Sequence, residues 1–320
     1  MYVDRGRELS IVVFLAAIAV LLLLVVPSFF NATNLNNILI NVSYVAIGAL
    51  GQMAVILTGQ PDISVGAVLA VCAMSAGTMA TAGLPLAAVV LLTILIGATL
   101  GLINGLLVTS LGIHSIIVTL GTLGIYRGGL LYFTGGAWIY DLPPSFRWIA
   151  LGDVGGVANP IWIAGLTMVL FSFFLTRTRW GRSLYAVGSN DEAARLSGLS
   201  RNRVLVSAFT LNGAMVAVAA MVYATRFSTI QSNIGTGYEF LVITAVVVGG
   251  AHIFGGSGTV IGVALGSLLV AITGTVLVFL AVSAFWERSL HGAFILLAVG
   301  FEVVRQRVRR RRSAPARAAP

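Results

Sequence analysis

An all-α, polytopic membrane bundle of about ten transmembrane helices is the fold class this sequence predicts, and three observations lead there. Of 320 residues, 58% are hydrophobic and 9% charged, a balance far from that of soluble domains. Apolar stretches recur along the whole chain, each of about 20 residues, enough to cross a hydrocarbon core roughly 30 Å thick as a helix. They lack the alternation of a membrane barrel, and open sheet edges in lipid leave backbone amides unpaired, so helices remain.

Taken in order, the first apolar run covers 9–26. Pro27-Ser28-Phe29-Phe30-Asn31 after it supplies no small-x-small cleavage pattern, so the run reads as a span and not as a signal peptide. Further runs fall at 38–57, 65–82, 86–108, 116–133 and 161–175. After an arginine-rich segment come 204–223, 240–253, 260–282 and 293–304. The glycine-rich second and eighth runs are candidates for broken or re-entrant helices. Residues 1–304 thus form one transmembrane domain, and 305–320 are expected to be a basic, disordered tail.

Charge gives an independent test of this order. All 19 basic residues are arginine and the formal charge is +9, which in a soluble protein would suggest nucleic acid. Here the arginines gather at Arg5 and Arg7, at Arg177, Arg179, Arg182, Arg195, Arg201 and Arg203, and at 305–312, as cytoplasmic segments facing anionic membrane lipid do. Six runs precede the middle group and four follow it, so both termini are expected in the cytoplasm. Without lysine the chain has neither a P-loop nor a Schiff-base amine; any ATP must be hydrolysed by a partner. The lone Cys72 sits in an apolar run and reads as packing. His114, His252 and His291 have no spacing that gathers a metal, and no cofactor is expected.

The most informative hydrophilic stretch lies in the 176–203 loop. Ser189 and Glu192 have capping-box spacing, Asp191 and Glu192 suit the positive end of a helix dipole, and Gly198 is a natural stop. These signals predict a short helix of about two turns; alone, they fit a plain surface helix as well. The segment 135–160, with Trp138 and Trp148, reads either as a connecting loop or as an outer docking surface. Within the spans the polar residues are uncharged: Asn41, Ser43, Tyr44, Gln52, Asn104, Thr119, Thr122 and Asn212. Such groups either bind a hydroxylated solute or tie helices together. Arg127, near the outer end of a span, is a functional candidate or a snorkelling side chain. Asp62 is expected at a cytoplasmic turn, capping the next helix, and Glu239 at the outer edge of the eighth span. Glycines at 121, 124, 128 and 129, and the Gly258-x-x-x-Gly262-x-x-x-Gly266 spacing, predict close helix packing.

Glu192-Ala193-Ala194 followed by Gly198 resembles the loop through which importer permeases engage their ATPase. Other stretches resemble the sugar permeases of the ribose-transport type: the run from Gly51-Gln52-Met53 through Thr58-Gly59-Gln60-Pro61-Asp62-Ile63-Ser64-Val65-Gly66, the span 117–129, Glu239 with the glycine-rich stretches 245–250 and 255–262. Pro61 departs from the usual pattern. Leu123-Gly124-Ile125-Tyr126-Arg127-Gly128 with Thr134-Gly135-Gly136-Ala137-Trp138 looks closest to the rhamnose and autoinducer-2 permeases.

The resemblance implies a non-enzymatic permease subunit of an ATP-binding-cassette importer in a bacterial inner membrane, moving a sugar-like solute by alternating access. It implies as partners cytoplasmic ATP-binding subunits, an extracytoplasmic solute-binding protein and a second permease subunit, identical or paralogous. Ser189, Asn190, Asp191, Glu192, Ala193, Ala194 and Gly198 would then form the coupling helix. Asn41, Tyr44, Gln52, Asn104, Thr119, Thr122, Arg127 and Asn212 are the candidates for the translocation path. The alternative is an ion-coupled secondary transporter, which needs ionisable groups near the bilayer centre, whereas the acids here read as span-end residues.

Overall fold

The computed structural model describes residues 5–283 and 285–313. Thirteen helices follow in order: α1 (Arg5–Val25), α2 (Ala32–Leu57), α3 (Val65–Thr81), α4 (Leu86–Leu111), α5 (Ser115–Thr134), α6 (Pro144–Leu151), α7 (Asn159–Arg177), α8 (Arg179–Ser189), α9 (Asp191–Leu196), α10 (Arg201–Ala224), α11 (Tyr238–Val248), α12 (Val260–Phe279) and α13 (Trp286–Ser313). Among the described residues the only strands are the two-residue arms of a hairpin, β1 (Asp153–Val154) and β2 (Val157–Ala158).

Every predicted apolar run overlaps a helix, the eighth, 240–253, outrunning α11 by five residues. Among the described residues seven helices, α1, α2, α4, α5, α7, α10 and α12, are long and apolar enough to cross a membrane unaided, while α3 and α11 are shorter. The backbone of α13 continues to Ser313, so the stretch 305–313 is helical where a disordered tail was expected; the rest of that tail lies outside the described residues. His291 is buried within α13.

α2 is the axle of the bundle. From Val45 to Leu57 every residue is buried, because α7, α10, α11 and α12 all pack around it. A helix apolar all round is the sequence mark of such a position. α1 is the opposite case: only 6% of its apolar window is buried, so its leucines are left for lipid.

In hydrocarbon there is no hydrophobic drive between helices, and close van der Waals approach takes its place. The tightest seam runs between α4 and α10. A Cβ on Gly97 would stand 2.4 Å from the Gly213 carbonyl oxygen, and one on Gly101 would stand 2.1 Å from that of Phe209. The expected stripe on α12 holds for Gly262 and Gly266, which meet the Gly249 and Ala245 carbonyls of α11 and its cap; Gly258 precedes the helix. The glycines at 121, 124, 128 and 129 of α5 meet nothing within 4 Å, so that cluster opens outward and is not a packed seam inside the chain.

Candidate functional site

The run that carries α2 into α3 breaks inside the bundle. Thr58 caps α2, Gly59 adopts φ +75°, and Pro61 has no amide to continue the helix. The segment that follows is buried at Gln60, Asp62 and Ser64, so its polar groups must find partners inside the protein. Four helices, α2, α4, α5 and α10, and the segment's own Ser64 provide them. The Asp62 carboxylate accepts from the Ser64 amide (2.8 Å) and hydroxyl (2.7 Å), from Asn212 Nδ2 (3.1 Å) and, at 3.5 Å, from Asn104 Nδ2. Gln52 Nε2 donates to the Asp62 carbonyl (3.1 Å). Asn104 Nδ2 also donates to Ser64 Oγ (2.8 Å), and the Tyr126 hydroxyl donates to Asn104 Oδ1 (3.1 Å). From α5, Thr119 Oγ1 accepts the Ile63 amide (3.0 Å), while Ser115 bonds Gln60 and the Pro61 carbonyl.

This geometry corrects the expected place of Asp62. It bonds the amide and hydroxyl of Ser64, the residue before α3, where no side-chain cap bond to the helix forms, and its partner Asn212 stands at the midpoint of α10. Asp62 is therefore a bundle-centre acid and not a cytoplasmic turn residue. The buried carboxyl group is tolerated because its oxygens are filled by donors. Of the candidate path residues, Gln52, Asn104, Thr119 and Asn212 converge on this segment and are each 0% exposed. Thr122, also buried, donates back to the Thr119 carbonyl. They tie the break in place.

Asn41 and Tyr44 belong to a second cluster, built from the first half of α2, the C-terminal end of α10 and the first turn of α11. The Tyr44 ring lies 4.7 Å from that of Tyr223 and stacks at 6.1 Å on Tyr238, whose hydroxyl donates to the Tyr44 carbonyl (2.8 Å). Gly48 makes room: a Cβ there would fall 1.9 Å from the Tyr238 hydroxyl oxygen. Arg226 donates to Asn41 Oδ1 and to Asn37 Oδ1. Arg127 does not snorkel outward. Its guanidinium donates to the Ile234 carbonyl (2.7 Å) and the Gly66 carbonyl (3.3 Å), joining α5 to the start of α3 and to the loop before α11. Glu239 sits in the first turn of α11, as expected, close enough that a Cβ on Gly66 would touch its carboxylate at 2.2 Å. The 135–160 segment holds α6 and the hairpin, and a bridge between Ile139 and Ile230 fastens it to the same loop.

At the opposite end of α2 lies the predicted coupling segment. The short helix α9 exists, but its cap is Asn190, whose Oδ1 accepts the Ala193 amide at 2.9 Å. Ser189 is the last residue of α8, so the expected Ser189–Glu192 capping box is not formed. Gly198 closes the turn at φ +82°, where glycine is the least strained choice. Asp191, Glu192, Ala193, Arg195 and Leu196 are exposed and only Ala194 faces inward; Asp191 pairs with Arg201 at 3.2 Å.

What the sequence did not signal is how α8 meets the break. The Gly256 amide donates to the Leu57 carbonyl, the last of α2, at 2.9 Å. A Cβ on Gly188 would stand 1.7 Å from that same oxygen, and one on Gly255 would lie about 3 Å from Gly59, Gly188 and Leu57 backbone atoms alike. Three pieces of chain, the end of α2, the last turn of α8 and the loop after α11, therefore touch backbone to backbone. Tyr185 adds a hydroxyl bond to the Gly258 carbonyl (2.9 Å), and burial pushes its phenol up to about 12.

Seven long apolar helices around a buried, hydrogen-bonded helix break are the arrangement of a polytopic helical membrane protein. The chain belongs to the family described as branched-chain amino acid transport system / permease component, which its residues 34–299 match. It is 35% identical to the autoinducer 2 import system permease protein LsrC of Escherichia coli O157:H7 over 306 residues, covering 94% of this chain and 88% of that protein. The LsrC proteins of Yersinia enterocolitica (35% identity, 94% and 84% covered) and Shigella flexneri (35%, 94% and 88%) are similar to the same degree. No solved structure matches. The chain is thus the permease component of an ATP-binding-cassette import system, and the reading as an ion-coupled secondary transporter gives way, even though Asp62 occupies the bundle centre.

Proposed function

We propose that this permease moves a small polyhydroxylated, sugar-like solute, of the kind named in its LsrC relatives, inward across a bacterial inner membrane. All ten apolar helices cross it, α3 and α11 as short ones, with both termini and the α8–α9 segment in the cytoplasm. ATP-binding subunits dock on the exposed face of α9, where Leu196 is 78% exposed. A solute-binding protein docks on the outer 135–160 segment, and a second permease subunit, identical or paralogous, completes the path. The Tyr44, Tyr223 and Tyr238 rings with Asn41 and Arg226 provide faces and donors for a hydroxylated ring; the Asp62 network sets the shape of the break below them.

One observation carries the reading: the carbonyl that ends α2 is gripped by the last turn of α8 and the loop after α11. A displacement of α9 and α8 is then passed directly to the helix break, since there is no soft side chain between them to absorb it. In this account α8, α9, the end of α2 and the 249–256 loop move as one block when nucleotide closes the ATPases.

Reconstitution of the full chain with the ATPase and binding protein encoded beside it tests this. Glu192→Arg should leave ATP hydrolysis running while solute entry per ATP falls at least tenfold, which corresponds to about 1.4 kcal/mol of lost coupling. Wild-type entry in that variant would remove the coupling role. Competition for uptake by rhamnose, ribose or autoinducer 2 supports the solute class, and competition by leucine alone would overturn it.

A further inference from the structure

A groove of about 750 Å³ lies between α1, α11 and α13 and belongs to neither cluster described above. Its walls are apolar: Ile11 and Phe14 of α1, Val248 of α11, and Leu297, Ala298 and Phe301 of α13. Phe14, Leu297 and Phe301 are exposed, Phe301 by 75%, so no element among the described residues closes the groove. Its floor continues through Gly250 and Phe254 into Gly255 and Gly256, the residues that touch α8. The groove therefore opens at the same end of the bundle as the α8–α9 segment.

We propose that this groove binds an anionic phospholipid, an acyl chain lying along α13 and the phosphate held at the inner end. Apolar walls open to the bilayer select hydrocarbon. Charge selects the headgroup. Beyond Phe301 the same helix carries six arginines, at 305, 307 and 309–312, against the single acid Glu302. Clustered arginines just beyond a span attract anionic lipid, and their guanidinium groups match phosphate geometry. The site stands whether or not the chain is coupled to an ATPase, because it rests on different residues. Its position also gives it a consequence: a chain filling the groove supports the loop that grips the end of α2.

Native mass spectrometry of the purified full chain, offered equal amounts of phosphatidylglycerol and phosphatidylcholine with identical acyl chains, tests the proposal. Phosphatidylglycerol should be retained at least fivefold over phosphatidylcholine. The pair Val248→Trp and Ala298→Trp, which fills the groove, should abolish retention, while Leu166→Trp on the exposed face of α7 should not. If the filled groove prevents folding, replacement of the six arginines by glutamine decides alone: it should equalise the two lipids. Equal retention of both lipids by the unaltered chain, unchanged retention in the filled groove, or a preference that survives loss of the arginines would each overturn the site. A disulfide formed between two copies carrying Ala298→Cys would do the same, by showing that a second chain covers the groove.

Discussion

At its C-terminal end α2 meets its neighbours through backbone, at Gly188, Gly255 and Gly256, whereas towards its other end it meets them through tyrosine rings, Asn41 and Arg226. The two contacts hold the same central helix but in different ways. Backbone against backbone leaves no rotamers to adjust, so it transmits displacement and tolerates almost no substitution. Rings and long side chains have alternative rotamers and graded contact area, so they can be retuned to a different solute without losing the fold. The difference teaches where change is possible under the proposed function: the tyrosine cluster can drift with the solute, and the joint at Leu57 cannot.

Three substitutions sharpen or break that contrast. The largest effect is expected from Asp62→Leu, which takes the carboxylate acceptor from the buried donors of Ser64 and Asn212. With each buried unpaired group costing about 1–3 kcal/mol, thermal unfolding in detergent should shift down sharply, and Asp62→Asn should recover much of the loss. A Leu variant as stable as the parent would mean that the break is held by apolar packing alone.

Gly188→Ala comes next. The added methyl would meet the Leu57 carbonyl at 1.7 Å, and overpacking of this kind costs about 1–3 kcal/mol. Uptake per ATP should fall at least tenfold, while Gly165→Ala on α7, which meets nothing within 4 Å, should transport normally. Equal uptake by both would show that the joint yields easily.

Tyr44→Ala should have the smallest effect. Loss of one ring contact, worth about 1 kcal/mol, should raise the half-saturating solute concentration roughly fivefold, with ATP hydrolysis unchanged. A loss of hydrolysis instead would place Tyr44 in the drive and not in recognition.

Much of the fold was legible because hydropathy reports length and composition, and all ten runs overlap helices. Depth is another matter. Asp62 follows Gly59 and Pro61, which look like the end of a span, and nothing in the local pattern says that the turn lies inside the bundle. A signal was present all the same: Gln52, Asn104 and Asn212 are amides placed in the interiors of three different apolar helices, and buried amides need partners. The short helix was legible from Asp191, Glu192 and Gly198. Its cap was misread by one residue because Thr178 starts α8 early enough, accepting the Gly181 amide, that this helix runs on through Ser189. Gly188 carried no warning, since a close approach between segments far apart in sequence leaves no periodic trace.

The claim that α9 and the joint above it move as one block is tested most directly by distances between spin labels in the assembled, lipid-embedded importer, with Cys72 replaced by serine. Labels at the exposed positions Leu196 on α9 and Phe254 after α11 should keep their separation when nucleotide binds, while the separation between Leu196 and Tyr132, near the C-terminal end of α5, changes. A change between Leu196 and Phe254 with the Leu196 to Tyr132 distance fixed would contradict the account.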